Sequence, residues 1–180
     1  PLMDIYFASQ CSFFVGVNSG PLDLPWLFQK PMVVTNASEW NLHFPPRNGD
    51  FIIFKHIFSN SLNRYLSLEE MLKETSLCQS DPFPNRSEYT FVENTSAEIR
   101  SVVEEFLQKP SQFVPSPSQQ KFNQKMRYET HRWLDGEVLV PEERVLDAFA
   151  KYRIAARTDS CAGVVGQRYL DQNWSTDSFN

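Results

Sequence analysis

The chain has 180 residues, of which 41% are hydrophobic and 22% charged, and these values fit one globular domain with a single core. A formal net charge of −5 gives no electrostatic basis for binding nucleic acid, so nucleic acid is not an expected partner. The apolar runs fall short of the roughly 18 residues that span a bilayer, so no transmembrane segment is expected.

The cysteines indicate the compartment and argue against a metal site. Cys11, Cys78 and Cys161 lie far apart and form no C-x-x-C pair, so the sequence predicts neither a zinc clip nor a redox dithiol. An odd number of cysteines without a signal-peptide pattern is typical of reduced thiols in a reducing compartment. We therefore expect a cytoplasmic protein without a bound metal.

The first forty residues predict a helix, two buried strands and a short helix between them. Apolar residues recur at helical spacing in 2–10, and an apolar run at 12–17 follows. Asn18-Ser19-Gly20-Pro21 then forms a strand-loop-helix junction, in which Gly20 can take positive φ and Pro21 suits the first helical turn. Pro25 keeps the helix short or kinked, and 32–35 is the second strand. Strand, helix and strand in this order predict parallel pairing.

The middle of the chain predicts a third strand, a fourth strand and two capped helices. Residues 51–54 are an apolar run, and 90–93 is a second candidate strand. Ser67 with Glu70, and Thr95 with Glu98, have the spacing of capping boxes. Because capping explains Glu70 and Glu98, neither is assigned to catalysis.

The remaining sequence predicts a linker and a helical tail. Residues 109–120 are rich in Pro, Ser and Gln, and helical spacing recurs at 122–133 and again at 145–152. The expected fold is α/β, a Rossmann-like parallel sheet with flanking helices and a C-terminal helical extension. The expected organisation is a core at 1–108, a linker at 109–120 and an extension at 121–180 that packs on the core.

The candidate site lies where the predicted parallel strands end. Ligands of open parallel sheets bind at the carboxyl ends of the strands, where Asn18, Ser19, Gly20, Thr35 and Asn36 are expected. A helix that begins at Gly20-Pro21 presents unpaired N–H groups suited to a diphosphate, and Ser19 adds a hydroxyl donor. The same residues also fit a tight turn before a capped helix, with no ligand.

Other polar residues are weaker candidates, each with a structural alternative. Glu39 follows the second strand and could accept hydrogen bonds from ribose hydroxyls. Trp40 fits either the core or a sugar platform. The histidines and cations are expected mainly to pack or to face solvent, although some could reach a cleft or pair with phosphate; they are His43, His56, His131, Arg47, Lys55 and Arg64.

The order of motifs resembles the donor lobe of bacterial GT-B-type glycosyltransferases. The likeness covers about the first hundred residues and is carried by Asp4-Ile5-Tyr6, by 11–16, by Asn18-Ser19-Gly20-Pro21 and by 30–36. The resemblance implies half of a GT-B fold that binds a nucleotide-diphosphate sugar as donor. It places Asn18, Ser19 and Gly20 near the diphosphate, with Thr35 and Asn36 near the sugar or nucleotide.

The resemblance also implies which parts of a complete enzyme, such as a metal, a cofactor or a second lobe, this chain would need. GT-B enzymes generally need no divalent metal, and no cofactor is expected. A complete enzyme has about twice this length, so we expect a fragment whose N-terminal lobe or partner chain supplies the acceptor site, and self-association is a further expectation. No residue is assigned as catalytic base. The alternatives are a non-catalytic interaction module and, ranked last, a flavodoxin-like or other Rossmann-like enzyme.

Overall fold

The computed structural model describes residues 2–40, 42, 45–73, 88–136 and 148–174, so His43 and Cys78 lie outside the described residues. The helices within these ranges are α1 (Leu2–Gln10), α2 (Asp23–Leu27), α3 (Leu68–Lys73), α4 (Ser96–Gln108), α5 (Pro117–Leu134), α6 (Ala148–Ser160) and α7 (Gln167–Asn173). The strands are β1 (Phe14–Val17), β2 (Met32–Ala37), β3 (Phe51–Phe54), β4 (His56–Ser59), β5 (Arg64–Tyr65), β6 (Tyr89–Val92) and β7 (Val164–Val165).

A four-stranded parallel sheet with flanking helices forms the centre of the fold. Its strand order is β1-β2-β3-β7, and all three pairings are parallel. Every residue of β3 is buried, which explains why this strand is a continuous apolar run and not an alternating one. The predicted α/β, Rossmann-like architecture is therefore confirmed.

The connection between β1 and β2 is short, as the sequence predicts. A 3₁₀ turn (Gly20–Leu22) leads into α2, which has five residues and contains the buried Pro25. Pro21 occupies the first turn, where its missing N–H leaves no hydrogen bond unmade. This unit aligns Val17 with Thr35, so the two strands end side by side.

The C-terminal segment contributes a strand as well as helices. β7 pairs with β3, so the fourth strand of the parallel sheet comes from residues 121–180. The helix α5 begins at Pro117, inside the predicted linker, because Ser116 caps it and forms a capping box with Gln119. A strand of two residues is too short to show a pattern in the sequence, which is why β7 is not predicted.

A second, antiparallel sheet has the strand order β5-β4-β6. The strand predicted at 90–93 is present as β6, but it pairs antiparallel with β4. Only Lys55 separates β3 from β4, so the chain leaves one sheet and enters the other within a single residue. The sequence shows one apolar run there and does not reveal that the chain passes from the parallel to the antiparallel sheet.

The core contains an aromatic cluster that includes Trp40. This side chain is fully buried, and its ring lies 6.2 Å from that of Phe54 and 6.0 Å from that of Phe122. Of the two interpretations of Trp40, core and sugar platform, the structure supports the core.

Asp50 holds together the amino ends of β2 and β3. Its carboxylate is 3% exposed and accepts hydrogen bonds from the backbone N–H groups of Met32 and Arg47, both at 2.8 Å. The Arg47 side chain in turn donates to the Lys30 carbonyl oxygen at 2.5 Å. Arg47 therefore has a structural role at the edge of the sheet opposite the candidate site.

The ion pair between Arg64 and Glu70 makes the stability of the fold depend on pH. Hydrogen bonds from Arg64 and from the Ser67 backbone lower the pKa of Glu70 to about 2. A depressed carboxyl pKa stabilises the fold above the unfolded value near 4.5, and this contribution is lost as the pH falls toward 2. Because both side chains are partly exposed, we expect Glu70→Gln to lower the free energy of unfolding by less than about 1 kcal/mol at pH 7.

Urea unfolding of the wild type and of Glu70→Gln at pH 7, 4 and 2.5 measures this contribution. The difference between the two proteins should shrink with each step toward acid. A difference that grows toward acid would show that the ion pair does not depress the pKa of Glu70.

Candidate functional site

The loops after β1 and β2 meet through a hydrogen bond between Asn18 and Glu39. Asn18 Nδ2 donates to Glu39 Oε1 at 3.2 Å. The Glu39 carboxylate is 8% exposed although it lies in a loop, and Asn18 is half-buried. A buried carboxylate beside an amide donor can accept hydroxyl hydrogen bonds and fix their orientation. The structure thus brings together two residues that the sequence places separately.

Thr35 connects the same two strands from inside the sheet. Its hydroxyl donates to the Gly16 carbonyl oxygen at 3.3 Å, and the residue is 4% exposed. The bond ties the end of β2 to β1 just before the Asn18 loop. Thr35 therefore lies at the expected edge, but its hydroxyl hydrogen is already donated to a backbone oxygen of the protein.

Asn36 and Asn94 hold each other in a reciprocal pair. The Asn36 backbone N–H donates to Asn94 Oδ1 at 2.7 Å, and the Asn94 backbone N–H donates to Asn36 Oδ1 at 2.6 Å. Asn94 Nδ2 also donates to the Phe54 carbonyl oxygen at 2.7 Å. Asn36 has φ 52°, a left-handed conformation that asparagine tolerates better than most residues. The sequence gives no sign of this interaction across 58 residues.

Ser19, Gly20 and Pro21 form an exposed turn in front of α2. Ser19 occupies the N-cap position, but its side chain makes no capping hydrogen bond. Gly20 does not use the positive φ that glycine permits; in the described part of the chain, the glycines with positive φ are Gly49 and Gly136. A 3₁₀ turn followed by five α-helical residues carries a much weaker dipole than a long helix.

Gly20 has open space around it. A Cβ atom built at this position meets no heavy atom within 4 Å. Neither backbone conformation nor packing therefore requires glycine here. A glycine that the fold does not need can serve the close approach of a ligand to the backbone.

An apolar cavity of about 720 Å³ lies beside this turn. It is bounded by α1, by β1 and by the turn that leads into α2; residues at its wall include Phe7, Cys11, Val15, Pro21 and Leu24. Its volume lies within the range of small-molecule sites. Gly20 and Pro21 of the exposed turn thus lie at the wall of an apolar space.

Arg157 of α6 lies within electrostatic reach of Glu39, a relation that sequence reasoning missed. Arg157 is half-buried, and its Nε is a buried atom without a hydrogen-bond partner in the structure. Burial lowers the pKa of Arg157, the nearby Glu39 carboxylate opposes that shift, and Arg153 adds to it. The four-residue spacing of the two arginines is visible in the sequence. The position of Arg157 near Glu39 is not, because it depends on how α6 packs.

His56 and Glu98 form a pair near the carboxyl end of β3. His56 Nε2 lies 2.7 Å from Glu98 Oε1, while Glu98 Oε2 accepts from the Thr95 backbone N–H at 2.8 Å. Burial raises the pKa of Glu98, but hydrogen bonds from Thr95 and His56 outweigh it and leave the pKa below its ordinary value. The predicted capping role of Glu98 is confirmed, and the structure adds His56 as a second partner.

The other candidates pair at the surface. Arg64 pairs with Glu70 at 2.6 Å, Lys55 with Glu93 at 3.9 Å, and His131 with Asp159 at 2.9 Å. Each has a partner on another element or loop, so ion pairing within the protein accounts for their positions without a ligand.

Among the described residues, no group of three or more His, Cys, Asp or Glu side chains is arranged to hold a metal ion. None of the helices in that part of the chain combines the length and hydrophobicity that crossing a membrane requires. Comparison with models of protein families, with curated proteins and with solved structures gave no match.

Proposed function

We propose that this chain is the nucleotide-sugar-binding lobe of a two-lobed glycosyltransferase, with its site at the carboxyl ends of β1 and β2. The observation that carries the proposal is the hydrogen bond between Asn18 and the buried Glu39. It places an amide donor and a carboxylate acceptor at the edge of a parallel sheet where nucleotides commonly bind. The sequence motifs at 11–21 and 30–36 support the same assignment by their resemblance to GT-B donor lobes.

In this proposal, Glu39 accepts hydrogen bonds from ribose or sugar hydroxyls, and Asn18 orients the carboxylate. The exposed backbone at Gly20 approaches the diphosphate, as its open surroundings permit. The reaction breaks the bond between the sugar and the diphosphate oxygen, so positive groups and N–H donors near the leaving group stabilise the developing charge. The acceptor and the catalytic base belong to a complementary lobe or partner chain.

The second candidate is an interaction module without catalytic activity, and α1 is the observation that favours it. The helix has no buried residue, and its apolar side chains are exposed, among them Leu2 at 82% and Phe7 at 60%. Clustered apolar exposure of this kind marks surfaces that meet another protein. In the glycosyltransferase proposal, the same surface belongs to the contact with further protein, including a second copy of the chain.

Calorimetric titration with UDP, GDP, ADP and CDP tests the proposed function. We expect saturable binding of at least one nucleotide, weakened about tenfold by Asn18→Ala and by Glu39→Gln, because each removes a hydrogen bond that involves a charged group. Gly20→Ala should weaken binding while leaving the unfolding midpoint unchanged or higher, since the new methyl group has room and restricts the unfolded chain.

Asn48→Ala is the matched control. Asn48 is exposed and lies at the opposite edge of the sheet, so its removal should leave nucleotide binding unchanged. Binding of none of the four nucleotides, together with self-association in light scattering, would favour the interaction module instead.

A further inference from the structure

The guanidinium group of Arg157 is half-buried, and the described part of the chain supplies no acceptor for its Nε–H. A guanidinium group has five N–H donors and no acceptor, so a half-buried arginine ordinarily finds a carbonyl or carboxylate oxygen. Within the described residues, the Arg157 guanidinium makes no hydrogen bond, and its Nε is shielded from solvent as well. A buried donor without a partner calls for an explanation, and a water, an ion or a ligand at Arg157 is one.

Arg127 also has a buried Nε for which the described residues offer no hydrogen-bond partner, so the difference between Arg157 and other half-buried arginines lies in the rest of the guanidinium group. Arg47 donates to the carbonyl oxygens of Lys30 and Trp26, and Arg127 donates to that of Cys161 at 2.8 Å. Both use backbone oxygens to satisfy part of the guanidinium. Arg157 has comparable burial but lacks such a bond, so packing alone does not account for it.

The charges around Arg157 favour an anion. Arg153 lies one turn earlier on α6, on the same side of the helix, with its guanidinium carbon 5.8 Å from the centroid of the Phe149 ring. The Glu39 carboxylate is close enough to act on Arg157 electrostatically, and it already accepts a hydrogen bond from Asn18. Arg153 and Arg157 therefore place two positive charges one helical turn apart, and among the described residues Glu39 is a carboxylate that acts on Arg157.

We propose that Arg157, assisted by Arg153, binds the phosphate oxygens of a ligand at the carboxyl end of β2. The planar guanidinium presents two parallel N–H groups, which match two oxygens of a phosphate. Naming the ligand as a nucleoside diphosphate rests on the proposed function, whereas the anion site itself rests on Arg157. The short helix after Gly20 has a weak dipole, so a side chain must supply most of the charge that balances a diphosphate.

Titration with inorganic pyrophosphate and with the nucleoside diphosphates tests the anion site in the whole chain. We expect the wild type to bind pyrophosphate, and Arg157→Gln to weaken that binding by about tenfold or more. Arg153→Gln should have a smaller effect, because its side chain is exposed. Arg168→Gln is the matched control, since it removes the same charge from an exposed side chain that pairs with Glu104 at 3.6 Å.

Thermal unfolding with and without pyrophosphate gives a second reading that does not depend on calorimetry. The wild type and Arg168→Gln should show a rise in unfolding midpoint with pyrophosphate, and Arg157→Gln should show little or none. Equal binding by Arg157→Gln and the wild type, or no binding of pyrophosphate by the wild type, would overturn the anion site.

The outcomes also separate this inference from the proposed function. Loss of pyrophosphate binding in Arg157→Gln, with no preference of the wild type for any nucleotide over pyrophosphate, supports the anion site and contradicts the glycosyltransferase assignment. Nucleotide binding that depends on Asn18 and Glu39 but not on Arg157 supports the assignment and overturns the anion site.

Discussion

Replacing Asn94 with alanine is expected to lower the free energy of unfolding by about 3 kcal/mol and to weaken nucleotide binding with it. The Asn94 side chain is 7% exposed and connects the ends of two strands through Asn36 and Phe54. Without it, the backbone N–H of Asn36 is left without its acceptor in a partly buried place. Asn36 also loses the contact that holds its left-handed backbone, so the end of β2 is no longer fixed.

Urea unfolding and nucleotide titration of the variant measure both effects. Asn94→Asp keeps an acceptor for the Asn36 N–H but sets a buried carboxylate oxygen against the Phe54 carbonyl oxygen, so it should also lower the free energy of unfolding. Asn48→Ala, at an exposed position, should change the free energy of unfolding by less than about 0.5 kcal/mol. An Asn94→Ala variant as stable as Asn48→Ala would contradict the role assigned to this amide.

Replacing Asp50 with alanine should lower the free energy of unfolding by about 4 kcal/mol, the largest stability effect we expect. The buried carboxylate satisfies the backbone N–H groups of Met32 and Arg47, and its Oδ2 lies 3.4 Å from Arg47 Nε. Alanine leaves these donors without their acceptor and removes the negative charge beside Arg47. The start of β2 and the turn before β3 then lose their common anchor.

Chemical denaturation measures this loss, and Asp135→Ala serves as its control because Asp135 is exposed at the end of α5. We expect Asp135→Ala to stay within about 0.5 kcal/mol of the wild type. Nucleotide binding by any Asp50→Ala protein that remains folded should be unchanged, since Asp50 lies at the opposite edge of the sheet. A stability loss no larger than that of the control would show that Asp50 is not the anchor.

The elements with strong local signals could be predicted from the sequence. The apolar runs at 12–17, 32–35 and 51–54 correspond to β1, β2 and β3, and the capping boxes at Ser67 and Thr95 are present as expected. These features depend on neighbouring residues alone. β7 and the pairing within the antiparallel sheet depend on contacts between distant segments, and β5 and β7, with two residues each, are too short to show a period.

In the candidate site, too, local features could be predicted from the sequence, whereas contacts between distant segments could not. A rule about parallel sheets places Asn18 at this edge, and the sequence gives Glu39 as a separate candidate after the second strand. Their hydrogen bond of 3.2 Å is seen only in the structure. The positions of Arg157 near Glu39 and of His56 beside Glu98 depend on how helices pack against the sheet. No pattern within one segment indicates those contacts. Sequence reasoning explains Glu98 by capping, expects His56 mainly to pack or to face solvent, and does not single out Arg157.

Nuclear magnetic resonance of the isotope-labelled chain during nucleotide titration tests the central claim most directly, because it shows where a ligand binds. We expect saturable shifts of the backbone amides of Asn18, Gly20 and Glu39 and of the Arg157 side-chain Nε–H with at least one nucleoside diphosphate. Signals from the amino edge around Gly49 and Asp50 should stay in place. Shifts confined to that edge or to α1, or no saturable shift with any nucleotide, would contradict a nucleotide-sugar site at the ends of β1 and β2.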